Sequence, residues 1–162
     1  MHEGMIVCRE RDVGTLMRRV LSMKALDMFD VSERDGRVQF MRPGHIDQFF
    51  SVELDDDDEG AMDLREDMRE GNLGSDGIRI AADPVAAILL EWTAGASYMV
   101  DRVLREILAD VEALVDFPEF NVMVLSGDLL SGAVPNPSVA RPGAFGVNAR
   151  AWTGPPGRIT EQ

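Results

Sequence analysis

The most constraining feature of the chain is an acidic segment in its middle, from Glu53 to Glu70. These 18 residues include ten acidic and two basic side chains, which gives a net charge of −8 out of −13 for the whole chain of 162 residues. Because charges of one sign repel at this density, such a segment forms a solvated loop, a helix surface or an interaction site. Most of the excess negative charge of the chain is therefore concentrated in this short segment.

Ahead of the acidic segment, the pattern predicts a strand and then a helix. Met5 to Cys8 has the composition of a short strand. Five apolar residues then recur at helical intervals: Val13, Leu16, Met17, Val20 and Leu21. This spacing places them on one side of an α-helix, with Arg18 and Arg19 on the other.

A hairpin is predicted next. Two strand-like runs, Phe29–Ser32 and Arg37–Met41, flank the pair Asp35-Gly36. Both residues of that pair tolerate positive φ, which a two-residue hairpin turn requires. Pro43-Gly44 ends the second strand, and Phe49–Leu54 is predicted as a further strand that runs into the acidic segment.

After the acidic segment we predict a strand over Ile78–Ala81 and then the most regular helix of the chain. Its apolar residues keep helical spacing over two turns and beyond: Met99, Val100, Val103, Leu104, Ile107, Leu108, Val111, Leu114 and Val115. On its outer face Asp101 can pair with Arg105, and Arg102 with Glu106. Phe120–Leu125 is predicted as the strand that follows.

The segment between these elements has two interpretations. Asp83-Pro84 suits an N-cap followed by the first helical position, which favours a helix in phase with the later one. Ala86–Trp92 is also a short apolar run bounded by Pro84 and Gly95, which favours a buried strand. Periodicity leaves both open.

Residues 126–162 are rich in glycine and proline, with six and five respectively among 37 residues. This composition is typical of irregular or disordered chain. We therefore expect a compact domain over residues 1–125 and an extended or partly disordered tail over 126–162, packed on the domain or on a partner.

These elements predict an α+β fold in a single domain. Hairpins and helices occur in blocks and do not alternate regularly, which favours a mainly antiparallel sheet with helices packed on one side. The tail after residue 125 adds no regular element to this prediction.

The acidic run can be compared with a calcium-binding loop. Counting Asp55 as position 1 of an EF-hand loop places Asp57 at 3, Gly60 at 6 and Glu66 at 12, and oxygen ligands at fixed spacing suit this cation. The departures are serious, since a glutamate stands at position 5 and further acidic residues follow where the exiting helix needs apolar ones. We therefore expect no metal and no other cofactor.

Nucleophilic catalysis has few candidates in this sequence. Cys8 lies in an apolar strand, where a thiol behaves as a small hydrophobe. Cys8, His45 and Asp47 could form a catalytic grouping, but three such residues arise easily by chance in a chain of this length. No phosphate-binding loop, dinucleotide fingerprint or nucleophile elbow is present. We expect a protein without enzymatic activity.

The acidic segment is instead predicted to bind a protein. Met62, Leu64, Met68 and Leu73 could present apolar anchors within a negative field, which suits a partner with a basic cleft. The predicted partner-binding residues are Asp55, Asp56, Asp57, Asp58, Glu59, Met62, Asp63, Glu66, Asp67 and Glu70.

Composition narrows the partner class. A net charge of −13 disfavours nucleic acid, whose affinity depends on cationic side chains. The longest apolar run is far too short to cross a membrane, and the lone Cys8 favours a reducing compartment, so we expect a cytoplasmic protein. The favoured function is a bacterial immunity protein that neutralises a toxin. The alternative is a structural or regulatory adaptor, phage-encoded among other sources, that uses its C-terminal tail for subunit contacts. The oligomeric state is left open.

Overall fold

Seven strands and five helices form within the residues that the computed structural model describes, which are 1–54, 59–120 and 122–132. The strands are β1 (His2–Arg9), β2 (Asp30–Arg34), β3 (Arg37–Arg42), β4 (His45–Leu54), β5 (Val85–Trp92), β6 (Ala113–Phe117) and β7 (Val122–Leu125). The helices are α1 (Val13–Ser22), α2 (Glu59–Arg69), α3 (Gly74–Ala81), α4 (Ser97–Ile107) and α5 (Ser126–Ser131). Across these described ranges, every helix is too short or too polar to span a membrane.

The strands form one sheet in the order β2-β3-β4-β5-β1-β6-β7. Every neighbouring pair is antiparallel, which confirms the predicted α+β fold with an antiparallel sheet. The first strand of the chain lies in the interior of the sheet, between β5 and β6. Its partners are therefore supplied by residues far along the chain.

The predicted hairpin is confirmed in its turn chemistry. Arg34 and Arg37 face each other across the two strands, with Asp35 and Gly36 between them. The φ angles of Asp35 and Gly36 are 53° and 79°. Positive φ at both positions is the geometry of the two-residue turn that matches the twist of paired strands.

Apolar side chains cover both faces of the central strands. On β1, Ile6 and Cys8 belong to a large cluster with α1, α4 and α5, which we call the first core. Met5 and Val7 point to the opposite face and pack with α2 and α3 in a smaller cluster, the second core. Helices therefore lie on both faces of the sheet, whereas the sequence predicted them on one side, because the acidic helix also has an apolar face.

The long helix predicted through Val115 is shorter than expected. α4 ends at Ile107, where the guanidinium of Arg19 donates to the carbonyl oxygens of Ile107 and Ala109. Asp110 follows with φ of 60°, a left-handed conformation that cannot continue the helix. The predicted helical residues Leu114 and Val115 lie instead on β6, where they are buried on opposite faces of the sheet.

The strand predicted over Ile78–Ala81 is also wrong, since these residues complete α3. Gly77 and Ile80 are buried and three positions apart, as expected for one face of a helix. Ile78 on the other side of α3 is 52% exposed. A run of four residues is too short to show this period in the sequence.

Two ambiguous segments are resolved by the structure. Ala86–Trp92 is a strand, β5, paired with both β1 and β4. The predicted tail begins with a helix, because Ser126–Ser131 forms α5 and buries Leu129 in the first core. The remainder of the predicted tail, residues 133–162, lies outside the described residues.

Candidate protein-binding surface

The predicted partner-binding residues fall on α2 and on the residues around it. Asp55–Asp58 and the side chain of Glu59 lie outside the described part of the chain. Met62, Asp63, Glu66 and Asp67 lie on α2, and Glu70 follows its last residue. The segment is thus a helix for most of its described length, which gives its charges defined positions.

The inner side of α2 belongs to the second core. Ala61, Leu64 and Met68 are 0–1% exposed, and Leu73, which follows the helix, is also fully buried. Leu64, Met68 and Leu73 were predicted to contact a partner, and this prediction is wrong. Their spacing of three to five residues turns them towards the sheet, so they fasten α2 to the domain.

The outer side of α2 presents charge around one exposed apolar side chain. Met62 is 57% exposed, and Asp63 and Glu66 beside it are exposed as well. Glu66 is four residues from Met62 and three from Asp63, so the three side chains are neighbours on the helix surface. We call Met62, Asp63, Glu66 and Glu70 the acidic face of α2.

A helix cap fixes the end of this face. The N–H of Gly71 donates to the carbonyl oxygen of Met68 at 3.3 Å, and the N–H of Asn72 donates to that of Asp67 at 2.9 Å. With φ of 81° at Gly71, this is a Schellman cap, which ends the helix at a defined residue. The Asn72 side-chain amide also donates to the carboxylates of Asp67 and Glu70, at 3.2 and 3.3 Å. Both carboxylates are thereby oriented.

The geometry disagrees with an EF-hand calcium loop. Residues from Glu59 onward are helical, so position 5 of the loop and the turn glycine Gly60 lie within α2. An EF-hand needs loop backbone there, with a sharp turn at position 6. Throughout the described ranges, no three acidic, histidine or cysteine side chains come together as a metal site.

The imagined catalytic grouping of Cys8, His45 and Asp47 is not assembled. Cys8 is fully buried on β1, and burial together with the nearby Asp12 carboxylate raises the pKa of its thiol to about 12. His45 starts β4 five residues before Phe50, which pairs with Trp92 at the end of β5, whereas Cys8 pairs with Ala86 near the other end of β5. A thiol in this state is protonated at neutral pH and packs as an apolar side chain of the first core.

An ionic cluster that the sequence did not reveal joins three distant elements. The Glu112 carboxylate accepts from Arg9 through Oε1 at 2.8 Å and from Arg79 Nε through Oε2 at 2.9 Å. Arg79 also donates to Asp76 at 2.6 Å. Hydrogen bonding from Arg79, and then from Arg9, lowers the pKa of Glu112 despite partial burial. Its members are too far apart in sequence for any local pattern to predict it.

An open cavity of about 310 Å³ lies next to this cluster. It is lined mainly by apolar side chains, including Leu108, Val111 and Leu130. Ser126 also lines it, but its hydroxyl donates to the Val111 carbonyl oxygen at 2.7 Å and accepts from the Ala113 N–H at 3.0 Å. This serine therefore joins β6 to α5 and is not poised as a nucleophile.

A second feature that the sequence did not reveal is a polar region on one face of the sheet, at β3 and β4. The second core draws its strand residues from β1, β5, β6 and β7, and the same face of β3 and β4 is polar instead. There Arg37 donates to Ser51 Oγ and to Glu91, both at 3.2 Å, and its guanidinium lies 6.0 Å from the Phe49 ring centre. Polar residues at alternate positions of both strands are the signal that could have shown it.

Within the described residues, the outer side of α2 thus combines exposed carboxylates and the exposed Arg69 with one exposed apolar side chain, and its chemistry is that of electrostatic and apolar contact. Comparisons with protein-family models, with curated proteins and with solved structures each gave no match.

Proposed function

We propose that this chain is a non-enzymatic binding module that docks a basic protein on the acidic face of α2. The supporting observation is the division of α2 into two sides. Ala61, Leu64 and Met68 are buried in the second core, while Met62 stays 57% exposed beside the exposed Asp63 and Glu66. An exposed apolar side chain beside charged ones is an arrangement found where proteins contact one another.

The fold gives this surface two useful properties. First, α2 is held by its buried side and by the cap at Gly71, so little conformational freedom is lost when a partner docks. Second, the surrounding segment Glu53–Glu70 carries a net charge of −8. Charge of one sign steers an oppositely charged partner and raises the association rate.

The partner class that fits best is a toxin with a cationic cleft, which makes the chain a bacterial immunity protein. Dense carboxylates can take the place of the phosphate groups that a nuclease cleft binds. Occupying such a cleft blocks the toxin without any chemistry by the inhibitor. The support for this partner class is the complementarity between an acidic surface and a cationic cleft.

The experiment is a kinetic one on the full chain. The probe is the toxin-like product of a neighbouring gene, and its association rate is measured by stopped flow at low and at moderate salt. We expect the double variant with Asp63→Asn and Glu66→Gln to associate several-fold more slowly than the natural chain, with a smaller salt dependence. Replacing Asp55–Asp58 by asparagine should slow association further.

A matched control removes the same number of charges elsewhere. Glu10→Gln combined with Glu106→Gln changes two exposed carboxylates outside α2. This control should keep most of the association rate, and both double variants should keep the melting temperature. Equal slowing by the two double variants would show that only net charge matters, and unchanged rates in both would refute the role of α2.

A further inference from the structure

The edge strand β2 is the most exposed regular element of the described chain. All five of its residues, Asp30–Arg34, are exposed to solvent. Among the described strands it pairs only with β3, so its outer side carries backbone groups without a strand partner. Such an edge is a template for another strand, and proteins protect it with charged side chains, proline, a bulge or a covering loop. β2 has charged side chains but no proline and no bulge against β3.

The hairpin turn determines which residues of β2 face outwards. In a two-residue hairpin the residues that flank the turn, here Arg34 and Arg37, exchange both backbone hydrogen bonds. Hydrogen-bonded pairs alternate along an antiparallel ladder, so Ser32 and Asp30 also bond to β3. The N–H and C=O groups of Val31 and Glu33 therefore point to the open side.

We infer that β2 pairs antiparallel with β2 of a second copy of this chain, about a two-fold axis at Ser32. In this register Val31 faces Glu33 of the second copy, and Glu33 faces its Val31. The two outward-facing residues of each strand then form hydrogen-bonded pairs, so every outward N–H and C=O of β2 is satisfied. The sheet runs without a break through both copies.

Charge selects this register over its neighbours. It places Asp30 opposite Arg34 of the second copy on both sides of the axis, and these pairs are of the non-hydrogen-bonded type, where side chains approach most closely. A register centred on Glu33 would oppose two glutamates. A register centred on Val31 would place Asp30 opposite Ser32, and Asp30 and Arg34 would both lack a charged partner across the interface.

The charge of the hairpin also permits contact between two acidic proteins. Residues 30–42 contain three acidic and three basic side chains, a net charge of zero in a chain of −13. Two copies that meet here bring together segments with no net charge. Exposed apolar side chains lie beside the edge, since Met28 is 63%, Val31 52% and Met41 50% exposed. Their burial favours association.

The first test measures the oligomeric state of the full chain by sedimentation velocity over a range of concentrations. We expect a concentration-dependent dimer in the natural chain. Arg34→Asp replaces two attractive pairs by two repulsive ones and should weaken the dimer about tenfold or more. Adding Asp30→Arg to that variant exchanges the charges and should restore the dimer. Arg102→Asp is the control, because it makes the same charge change at an exposed position of α4.

The outcomes separate the pairing from a general charge effect. Dimerisation that is lost in Arg34→Asp, restored in the charge exchange and kept in Arg102→Asp supports the inference. A natural chain that stays monomeric overturns it, as does a charge exchange that does not restore the dimer. Because β2 is wholly exposed, circular dichroism should show that all variants keep the fold.

The second test reads the register directly by cysteine cross-linking. Ser32→Cys places two thiols across the axis in a non-hydrogen-bonded pair, with Cα atoms about 4.5 Å apart, which is within the range of a disulfide. With oxidised glutathione as the electron acceptor, this variant should form a covalent dimer. Glu33→Cys should not, because its symmetry mate lies two positions away along the strand. Cross-linking at Glu33 alone would overturn the register, and Cys8 is buried and does not compete.

Discussion

The two faces of the sheet are covered to different extents. The first core extends over the sheet from Val124 on β7 to Phe40 on β3. The second core reaches only from β7 to β5, and beyond it the sheet face turns polar at Ser51 and Arg37. Strands that are covered by both cores have continuous apolar sequences, whereas strands that are covered by one core alternate apolar and polar residues. The difference shows how far each helix layer extends, and it leaves the hairpin free for contacts.

The largest effect should come from truncating the centre of either core. Leu104→Ala in the first core and Leu64→Ala in the second each empty a fully buried site. Each should lower the free energy of unfolding by about 2–5 kcal/mol, measured by urea denaturation. Leu21→Ala, at a side chain that is 54% exposed, is the control and should cost much less. If Leu64→Ala lowered the free energy of unfolding no more than Leu21→Ala does, the second core would not stabilise the protein as the first core does.

Alanine substitutions at two glycines compare how tightly the helices pack on the two faces of the sheet. A Cβ at Gly77 in α3 would meet the Cβ of Leu73 at 3.0 Å, so Gly77→Ala should destabilise the protein by about 1–3 kcal/mol. At Gly14 in α1 the nearest atom is the flexible end of Arg18 at 3.7 Å. There the alanine should stabilise by up to about 1 kcal/mol, because it favours helix. Thermal melts of both variants check the opposite signs.

The ionic cluster predicts a pH dependence on the side of the second core. Its hydrogen bonds lower the pKa of Glu112 in the folded state. The contribution to stability is therefore complete above the usual glutamate pKa of about 4.3 and is lost as the pH falls through the lowered value. Because the side chain is partly exposed, we expect less than about 1 kcal/mol.

The measurement compares urea unfolding of the natural chain and of Glu112→Gln at neutral pH and near pH 3. The difference between the two proteins should be present at neutral pH and shrink in acid. A difference that stays constant across this range would show that Glu112 contributes by packing and not by charge.

The smallest effect is expected on the outer side of α2. Met62→Ser removes an exposed side chain and should change the free energy of unfolding by less than about 0.5 kcal/mol. Met68→Ala on the inner side of the same helix should cost several times more. Comparable losses at the two methionines would mean that the outer side is also packed.

Local chemistry explains which elements could be predicted from the sequence. The hairpin at Asp35-Gly36 and the helix α1 depend on near neighbours along the chain, namely a pair that tolerates positive φ and apolar residues at helical spacing. Both were confirmed. The strand β6 was taken for the end of a helix because Ala113, Leu114 and Val115 are all buried, and an apolar run covered on both faces has no period.

The sequence predicted the charge of the candidate site, but it did not predict that the apolar residues of the site pack against the sheet. The acidic segment was evident from composition, and the helical spacing of Ala61, Leu64 and Met68 was present in the sequence as well. Whether those residues face a partner or the sheet depends on the second core. That core forms because β1, β5, β6 and β7 carry apolar residues on the sheet face opposite the first core. Such long-range information is not contained in a local pattern.

The interior position of β1 has a consequence for synthesis on the ribosome. His2 pairs with Trp92, and Met5 pairs with both Leu89 and Asp116, so β1 has neither of its neighbouring strands until β5 has been translated. During that interval its apolar residues are exposed to other nascent chains and to chaperones. The centre of the sheet therefore cannot form before β5 has been translated, and a translation stall ahead of β5 leaves a product without a folded centre.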